Sequence, residues 1–206
     1  MNETTIETVF VVDDDAGMRD ALVQLLETAG LQVESFTSGP DFLTAYESER
    51  PGCLLLDMAM PGMSGLEVQA ALNTLGLTIP IIFLTGHGDI PMAVRAVQAG
   101  AVDFLEKPIQ GVALLERVRR ALALDLEWRK TQGRTLAIQQ RHAKLSPRER
   151  EIMTLTVSGL TSKEIARKLD ISPRTVEVHR THVMYKMGAA NLADLVNMAS
   201  CCKPPA

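Results

Sequence analysis

The sequence predicts two domains of different class: a doubly wound α/β domain around a five-stranded parallel sheet, then a separate all-α domain of four helices. Three observations carry this. Apolar strand-like runs and helically spaced apolar positions alternate five times between Val9 and Leu122, which is the pattern of a parallel sheet covered on both faces. The last third holds only helical signals, two of them opened by a Ser-Pro pair, Ser146-Pro147 and Ser172-Pro173. The charge also divides. Residues 1–124 hold 17 acidic and 7 basic side chains, net −10, whereas residues 125–206 hold 8 and 14, net +6. An acidic front and a basic back imply different partners, nucleic acid for the second.

The elements follow in order. Val9-Phe10-Val11-Val12 is an apolar run ending in Asp13-Asp14-Asp15, and Met18, Leu22, Leu25, Leu26 and Ala29 then recur at helical spacing up to Gly30. Leu31–Phe36 alternates as a second strand, and Phe42, Leu43 and Tyr46 mark a second helix. Cys53-Leu54-Leu55-Leu56 is a third strand, buried, short and closed by Asp57 and the turn Pro61-Gly62. Leu66, Val68, Ala71, Leu72 and Leu75 give a third helix. Pro80–Thr85 is the fourth strand, followed by a helix through Met92, Val94, Ala96 and Val97 to Gly100. Ala101–Leu105 is the fifth strand, with Val112, Leu115, Val118 and Leu122 marking the core side of a fifth helix. The hydrophobic share of 46% against 22% charged fits a soluble globular chain. With no apolar run of membrane-spanning length and no basic-then-apolar start, the chain is expected to remain in the cytoplasm. Three cysteines, Cys53, Cys201 and Cys202, show no zinc-binding spacing.

In doubly wound sheets ligands bind beyond the carboxyl ends of the strands, where the winding reverses. Those ends carry Asp13 and Asp14, Asp57, Thr85, and Glu106-Lys107-Pro108. Singly, each has an ordinary reading: Asp15 and its neighbours as helix caps, Asp57 as a turn residue, Thr85 as a strand-end hydroxyl, Lys107 as a solvated cation. Their convergence on one rim has no structural need. Packed carboxylates repel and ask for a cation. An all-oxygen set with room for water and phosphate suits Mg²⁺. Mg²⁺ with the Lys107 ammonium would stabilise charge on a phosphoryl group moving to Asp57, a carboxylate being a competent covalent acceptor. The Thr85 hydroxyl is placed to hydrogen-bond a phosphoryl oxygen.

These residues resemble a known family. Val12-Asp13-Asp14, Leu56-Asp57-Met58-Ala59-Met60-Pro61-Gly62, Leu84-Thr85-Gly86 and Lys107-Pro108 are similar to the receiver domain of bacterial two-component response regulators, over residues 8–125. The resemblance implies a flavodoxin-like fold with Asp57 as phosphoacceptor. It also implies Mg²⁺ held by Asp14, Asp57 and the Ala59 carbonyl, with Asp13 acting through water. It further implies Thr85 and Lys107 on the phosphoryl group, and a cis Lys107-Pro108 peptide. Phe104 falls on the family's switch aromatic, and a core strand residue remains the other reading.

Residues Arg129–Lys144 are rich in Arg, Gln and Lys, interrupted by Gly133. A continued helix is favoured by composition, a flexible tether being the alternative. Beyond them, Ser146 with Pro147 and Glu149 opens a helix, Thr161 to Leu169 forms a second, Pro173–Met187 a third, and Asn191 to Met198 a fourth. Two short helices across a tight turn make a helix-turn-helix layout. On Pro173–Met187 the core side is Val176, Val183 and Met187. Thr175, Glu177, Val178, Thr181 and His182 face outward, flanked by Arg174, Arg180 and Lys186, with Lys163 on the preceding helix. Basic groups would meet phosphates, and Val178 a thymine methyl. Leu145–Glu151, Lys163-Glu164-Ile165-Ala166 and Ser172–His179 resemble the four-helix DNA-binding domain of the LuxR/FixJ type, over about residues 143–200. Many relatives carry Lys where this chain has Glu177, which leaves Glu177 either a cytosine-reading specificity element or a bystander.

The expected organisation is a receiver over 1–124, a helical linker over 125–144 and a DNA-binding domain over 145–206. The expected function is a transcription factor whose Asp57 is phosphorylated by a histidine kinase, promoting a homodimer on double-stranded DNA, with RNA polymerase as a further partner. It would be no enzyme beyond turning over its own phosphoryl group. The alternatives are a constitutive DNA-binding regulator with a vestigial receiver, and an Mg²⁺-dependent aspartyl-phosphate phosphohydrolase. The latter class wants a second acid beside the nucleophile, where only Met58, Ala59 and Met60 stand.

Overall fold

The computed structural model describes residues 6–86 and 95–202. Five short apolar runs become strands: β1 (Thr8–Val12), β2 (Gln32–Phe36), β3 (Gly52–Asp57), β4 (Ile81–Thr85) and β5 (Asp103–Glu106). They pair in parallel in the order β2-β1-β3-β4-β5. The winding therefore reverses between β1 and β3. Their register sets Val12 beside Leu56, so the next residue of each strand, Asp13 and Asp57, falls at that reversal.

Period-2 alternation loads both faces of the sheet. Phe10, Leu54, Leu56 and Phe83 pack with Phe42, Tyr46, Val68 and Leu72 on one side. Val9, Val11, Leu55, Ile82 and Leu84 pack with Leu22, Leu26, Leu114 and Val118 on the other. Each such side chain contributes about 1.5–3 kcal/mol when fully buried. Helices α1 (Ala16–Thr28), α2 (Gly39–Ala45) and α3 (Gly65–Thr74) each start at a polar cap, Asp15, Ser38 and Ser64. The helix expected through Met92 and Val94 lies mostly outside the described residues, which resume as helix at 95–98.

Helix α4 (Gly111–Ala143) is 33 residues long. It carries the composition-based helix straight through Arg129 to Ala143. Gly133 is exposed there, and its cost of about 1 kcal/mol is outvoted by the Ala, Leu, Gln and Arg around it. One sequence expectation fails: Val112 is 84% exposed. Val118 and Leu122 are buried as expected, and Leu114 and Ala121 complete the stripe; at about 100° per residue the first turn alone fixes a helix face poorly. Asp125 is buried on this helix, and its Oδ2 accepts the Gly52 N–H at 2.9 Å.

The chain divides into two compact units, Met1–Trp128 and Arg129–Ala206. In the second, α5 (Pro147–Val157), α6 (Ser162–Leu169), α7 (Pro173–Met187) and α8 (Leu192–Ser200) follow the end of α4. Capping boxes open α5 and α6, with Ser146 and Thr161 each reciprocated by a glutamate three residues on. Between α6 and α7 the chain turns at Asp170, with φ +51°, a left-handed conformation that Asp tolerates better than most residues. Val176, Val183 and Met187 are buried along α7 as the spacing predicts.

Candidate functional site: a carboxylate rim and an exposed recognition helix

The carboxyl ends of β1, β3, β4 and β5 bring together four of the residues singled out in the sequence. Asp13 is fully buried, and Asp57 and Thr85 are nearly so. Lys107 reaches between the two carboxylates, its Nζ 2.8 Å from Asp13 Oδ2 and 2.6 Å from Asp57 Oδ1. Its own backbone N–H donates to the Thr85 carbonyl at 2.8 Å, which fixes the root of the side chain on the neighbouring strand. The Lys107-Pro108 peptide is cis. The second Asp57 oxygen accepts the Ala59 N–H at 3.0 Å, and Asp13 Oδ1 accepts the Asp15 N–H at 2.9 Å.

Charge at this rim is unbalanced. Two buried carboxylates share one ammonium, leaving a net negative charge in a place that disfavours it. Burial raises the Asp57 carboxyl above its ordinary range, against the hydrogen bond and charge of Lys107 that lower it. Burial works against the Lys107 charge, but its hydrogen bonds to Asp13 and Asp57 prevail and hold the ammonium on.

Of the acids expected at this rim, Asp13 and Asp57 come together and Asp14 stands apart in the outgoing turn. Among the described residues no three metal-ligating side chains converge, and Asp14 is exposed while Asp13 is buried beside Asp57. The reason is the strand register, which directs Asp13 to the sheet and leaves Asp14 in the outgoing turn. The donor set fits Mg²⁺, an ion commonly held by one or two carboxylates with waters and phosphate oxygens: two buried acids that share one ammonium, beside the exposed residue Ala59. Phe104 is 45% exposed on β5. Its reading as a core residue is thereby set aside.

Two contributors had no clear sequence signal. Arg19 Nη1 donates to the carbonyls of Asp13 and Asp14 at 2.8 and 3.0 Å, pinning the acidic turn from α1. Gly65 opens α3 so close to β3 that a Cβ there would stand 2.4 Å from the Asp57 carbonyl oxygen. Only a residue without a side chain lets α3 start against the end of that strand.

On α7, Arg174, Thr175, Glu177, Val178, Thr181, His182 and Lys186 are exposed and Arg180 is half-buried; Lys163 is exposed on α6. Thr175 Oγ1 meets Ser172 Oγ at 2.8 Å, and Thr181 Oγ1 donates to the Glu177 carbonyl at 3.0 Å. Arg180 Nη1 donates to Ser162 Oγ at 3.1 Å. Lys186, expected to meet phosphate, also has a partner within the unit. Its Nζ lies 2.7 Å from Oε2 of Glu149, a buried carboxylate that also accepts the Ser146 N–H at 2.7 Å. The sequence showed Glu149 as half of a capping box, but not its tie to a lysine 37 positions on.

Against known proteins, residues 9–119 match the response regulator receiver domain. The chain belongs to the response-regulator family. Residues 143–199 of this response regulator match the bacterial regulatory proteins of the luxR family. It is 46% identical over 191 residues to the transcriptional regulatory protein FixJ of Azorhizobium caulinodans, covering 93% of this chain and 90% of that one. It is 44% identical over 196 residues to nodulation protein W of Bradyrhizobium diazoefficiens, covering 95% and 86%. Among solved structures, the response regulator StyR superposes with a TM-score of 0.83 at 45% identity, covering 95% of this chain and 98% of that chain. Full-length FixJ from B. japonicum gives 0.60 at 43%, covering 97% and 98%. The response regulator is thus of the two-component type, a receiver joined to a LuxR-type DNA-binding domain, and acts in transcription regulation. A phosphodonor kinase and DNA are the partners these two domains imply.

Proposed function

We propose that Asp57 is the phosphoacceptor of this regulator and that its phosphorylation by a sensor histidine kinase switches DNA binding by the helix-turn-helix unit. The observation that carries this reading is the pair of buried carboxylates, Asp57 and Asp13, bridged by Lys107 at the winding reversal of the sheet. An Asp57 oxygen attacks phosphorus, the bond from phosphorus to the kinase histidine breaks, and the phosphoryl group passes to the carboxylate. Asp57 and the Ala59 carbonyl would hold Mg²⁺, with Asp14 reaching it from the exposed turn and Asp13 acting through water; the ion when bound neutralises charge on the phosphoryl oxygens. Lys107 supplies the protein's own positive charge on the same oxygens, and Thr85 its hydroxyl. Relocation of Thr85 and Phe104 then carries the phosphorylated state to the surface on which two copies pair.

The paired protein presents two copies of α7 to a two-fold DNA site, where joining two weak contacts multiplies affinity through effective concentration. Lys163, Arg174 and Arg180 meet phosphates. Thr175, Glu177, Val178 and Thr181 face base edges. Residues 1–124 form the receiver, 125–144 the helical linker and 145–206 the DNA-binding domain of a cytoplasmic protein that recruits RNA polymerase. Its chemistry is limited to gaining and losing its own phosphoryl group. The test is labelling of the full chain by acetyl phosphate with and without Mg²⁺, followed by footprinting of both forms on genomic DNA. Metal-dependent labelling that sharpens protection of discrete sites is expected. Identical protection without phosphodonor would select a constitutive DNA-binding protein instead.

A further inference from the structure

The helical unit contains a cavity of which the proposed DNA contacts use only Arg180. It has a volume of about 180 Å³ and is lined by Thr156 of α5, Arg180, Val183 and Met184 of α7, and Leu192 and Leu195 of α8. Four of these six walls are apolar. By volume, a wholly apolar cavity of about 150 Å³ accommodates one benzene ring, so this one has room for a single ring or a short alkyl chain and a small head group.

Two features say which head group. Thr156 is 4% exposed, and its buried hydroxyl has no hydrogen-bond partner, although leaving such a group unpaired is unfavourable. Thr156 is thus a residue of the cavity lining whose hydroxyl has its donor and acceptor capacity unspent. The second feature is Arg180. One of its guanidinium N–H groups donates to Ser162 Oγ, which anchors the side chain across α6, and a guanidinium carries five donors in all. A planar cation beside an apolar wall selects a planar anion, and carboxylate is the small anion whose geometry matches it. The apolar walls disfavour inorganic phosphate, which offers no surface to bury.

We propose that this cavity is a binding site for a small amphipathic carboxylate, of the size of benzoate or hexanoate. Arg180 holds the carboxylate, Thr156 contributes a hydrogen bond, and Val183, Met184, Leu192 and Leu195 enclose the apolar part. Because Arg180 belongs to α7, the ligand's carboxylate and a DNA phosphate compete for one guanidinium. The site would therefore give the output unit a small-molecule input separate from the carboxylate rim. Binding itself does not rest on the phosphorylation reading; the competition with DNA rests on the reading of α7 as the recognition helix.

The experiment is titration of the full chain, ¹³C-labelled at methionine and leucine methyls, with benzoate, hexanoate and neutral benzyl alcohol. Saturable shifts of Met184 and Leu195 are expected with either acid, with a midpoint of about 1 mM, as suits a ligand of about nine heavy atoms. Benzyl alcohol should bind at least tenfold more weakly. Thr156→Val keeps the shape and should weaken binding severalfold, and Leu192→Phe, at a 46% exposed position, should fill the cavity and remove it. Saturating benzoate should lower affinity for DNA about threefold in wild type and leave the Leu192→Phe variant unaffected. Absence of saturable shifts up to about 20 mM, roughly twentyfold above the expected midpoint, would overturn the site. Equal shifts in the Leu192→Phe variant would do the same. Equal binding of benzyl alcohol would overturn the carboxylate class, and unchanged DNA affinity at saturation would overturn the competition.

Discussion

Each unit ties buried carboxylate to a lysine, and Asp57 in the first and Glu149 in the second behave in opposite ways. At the receiver rim Asp57 shares the Lys107 ammonium with Asp13, so negative charge is in excess and burial pushes the Asp57 carboxyl upward. In the helical unit Glu149 has Lys186 to itself and also accepts the Ser146 N–H. Led by the Lys186 hydrogen bond, these partners hold the Glu149 carboxyl down at about 2. The first arrangement holds two carboxylates against one ammonium; the second pairs one carboxylate with one ammonium. A buried ion pair points to chemistry where its charges fail to balance, and to architecture where they do.

The sharpest break of this comparison is Asp57→Asn, which should abolish labelling by acetyl phosphate in the presence of Mg²⁺ while leaving the fold intact. Labelling that persists would move the acceptor to another residue. Next is Lys107→Ala, which leaves Asp13 and Asp57 facing each other without their cation. Labelling should slow by about 100-fold, the scale set by losing one preorganised charge at a transition state. Glu149→Gln should do nothing to labelling. It should instead destabilise the helical unit by about 2 kcal/mol, since it weakens a charged hydrogen bond and an N-cap, measured by denaturant unfolding.

Glu149 also sets a pH dependence with a definite sign. Its folded value of about 2 lies below the ordinary 4.5, so the unfolded chain binds the proton more readily. The stabilisation is complete above about pH 4.5 and is lost as pH falls toward 2. Glu149→Gln should remove that part of the acid-unfolding slope. The smallest effect is expected from Arg174→Ala, which should weaken binding to all DNA alike and reduce the salt slope by about 1. Lys186→Gln should instead lower stability together with DNA affinity, because its ammonium is already committed to Glu149.

Much of this was legible without a structure because it is local. Strand and helix periods in the first 122 residues, Ser-Pro helix starts, and polar residues at strand ends are short-range signals. Together they led to the doubly wound sheet and to Asp57, Thr85 and Lys107. Val112 was misplaced because a helix face read from its first turn has little phase information; Gly65 and Arg19 were passed over because a glycine before a helix and an arginine on one are commonplace in sequence.

What the sequence by itself determined is the order of elements and the chemical character of each strand end. Tertiary structure decided which charges meet: Lys107 with an aspartate 94 positions earlier, Lys186 with Glu149 rather than solvent, and Asp13 rather than Asp14 beside Asp57. It also decided that Thr156 and Arg180 line one cavity. The physical reason is that periodicity and capping act over a few residues, whereas charge balance is fixed by strand order and helix packing, which join positions far apart in the chain.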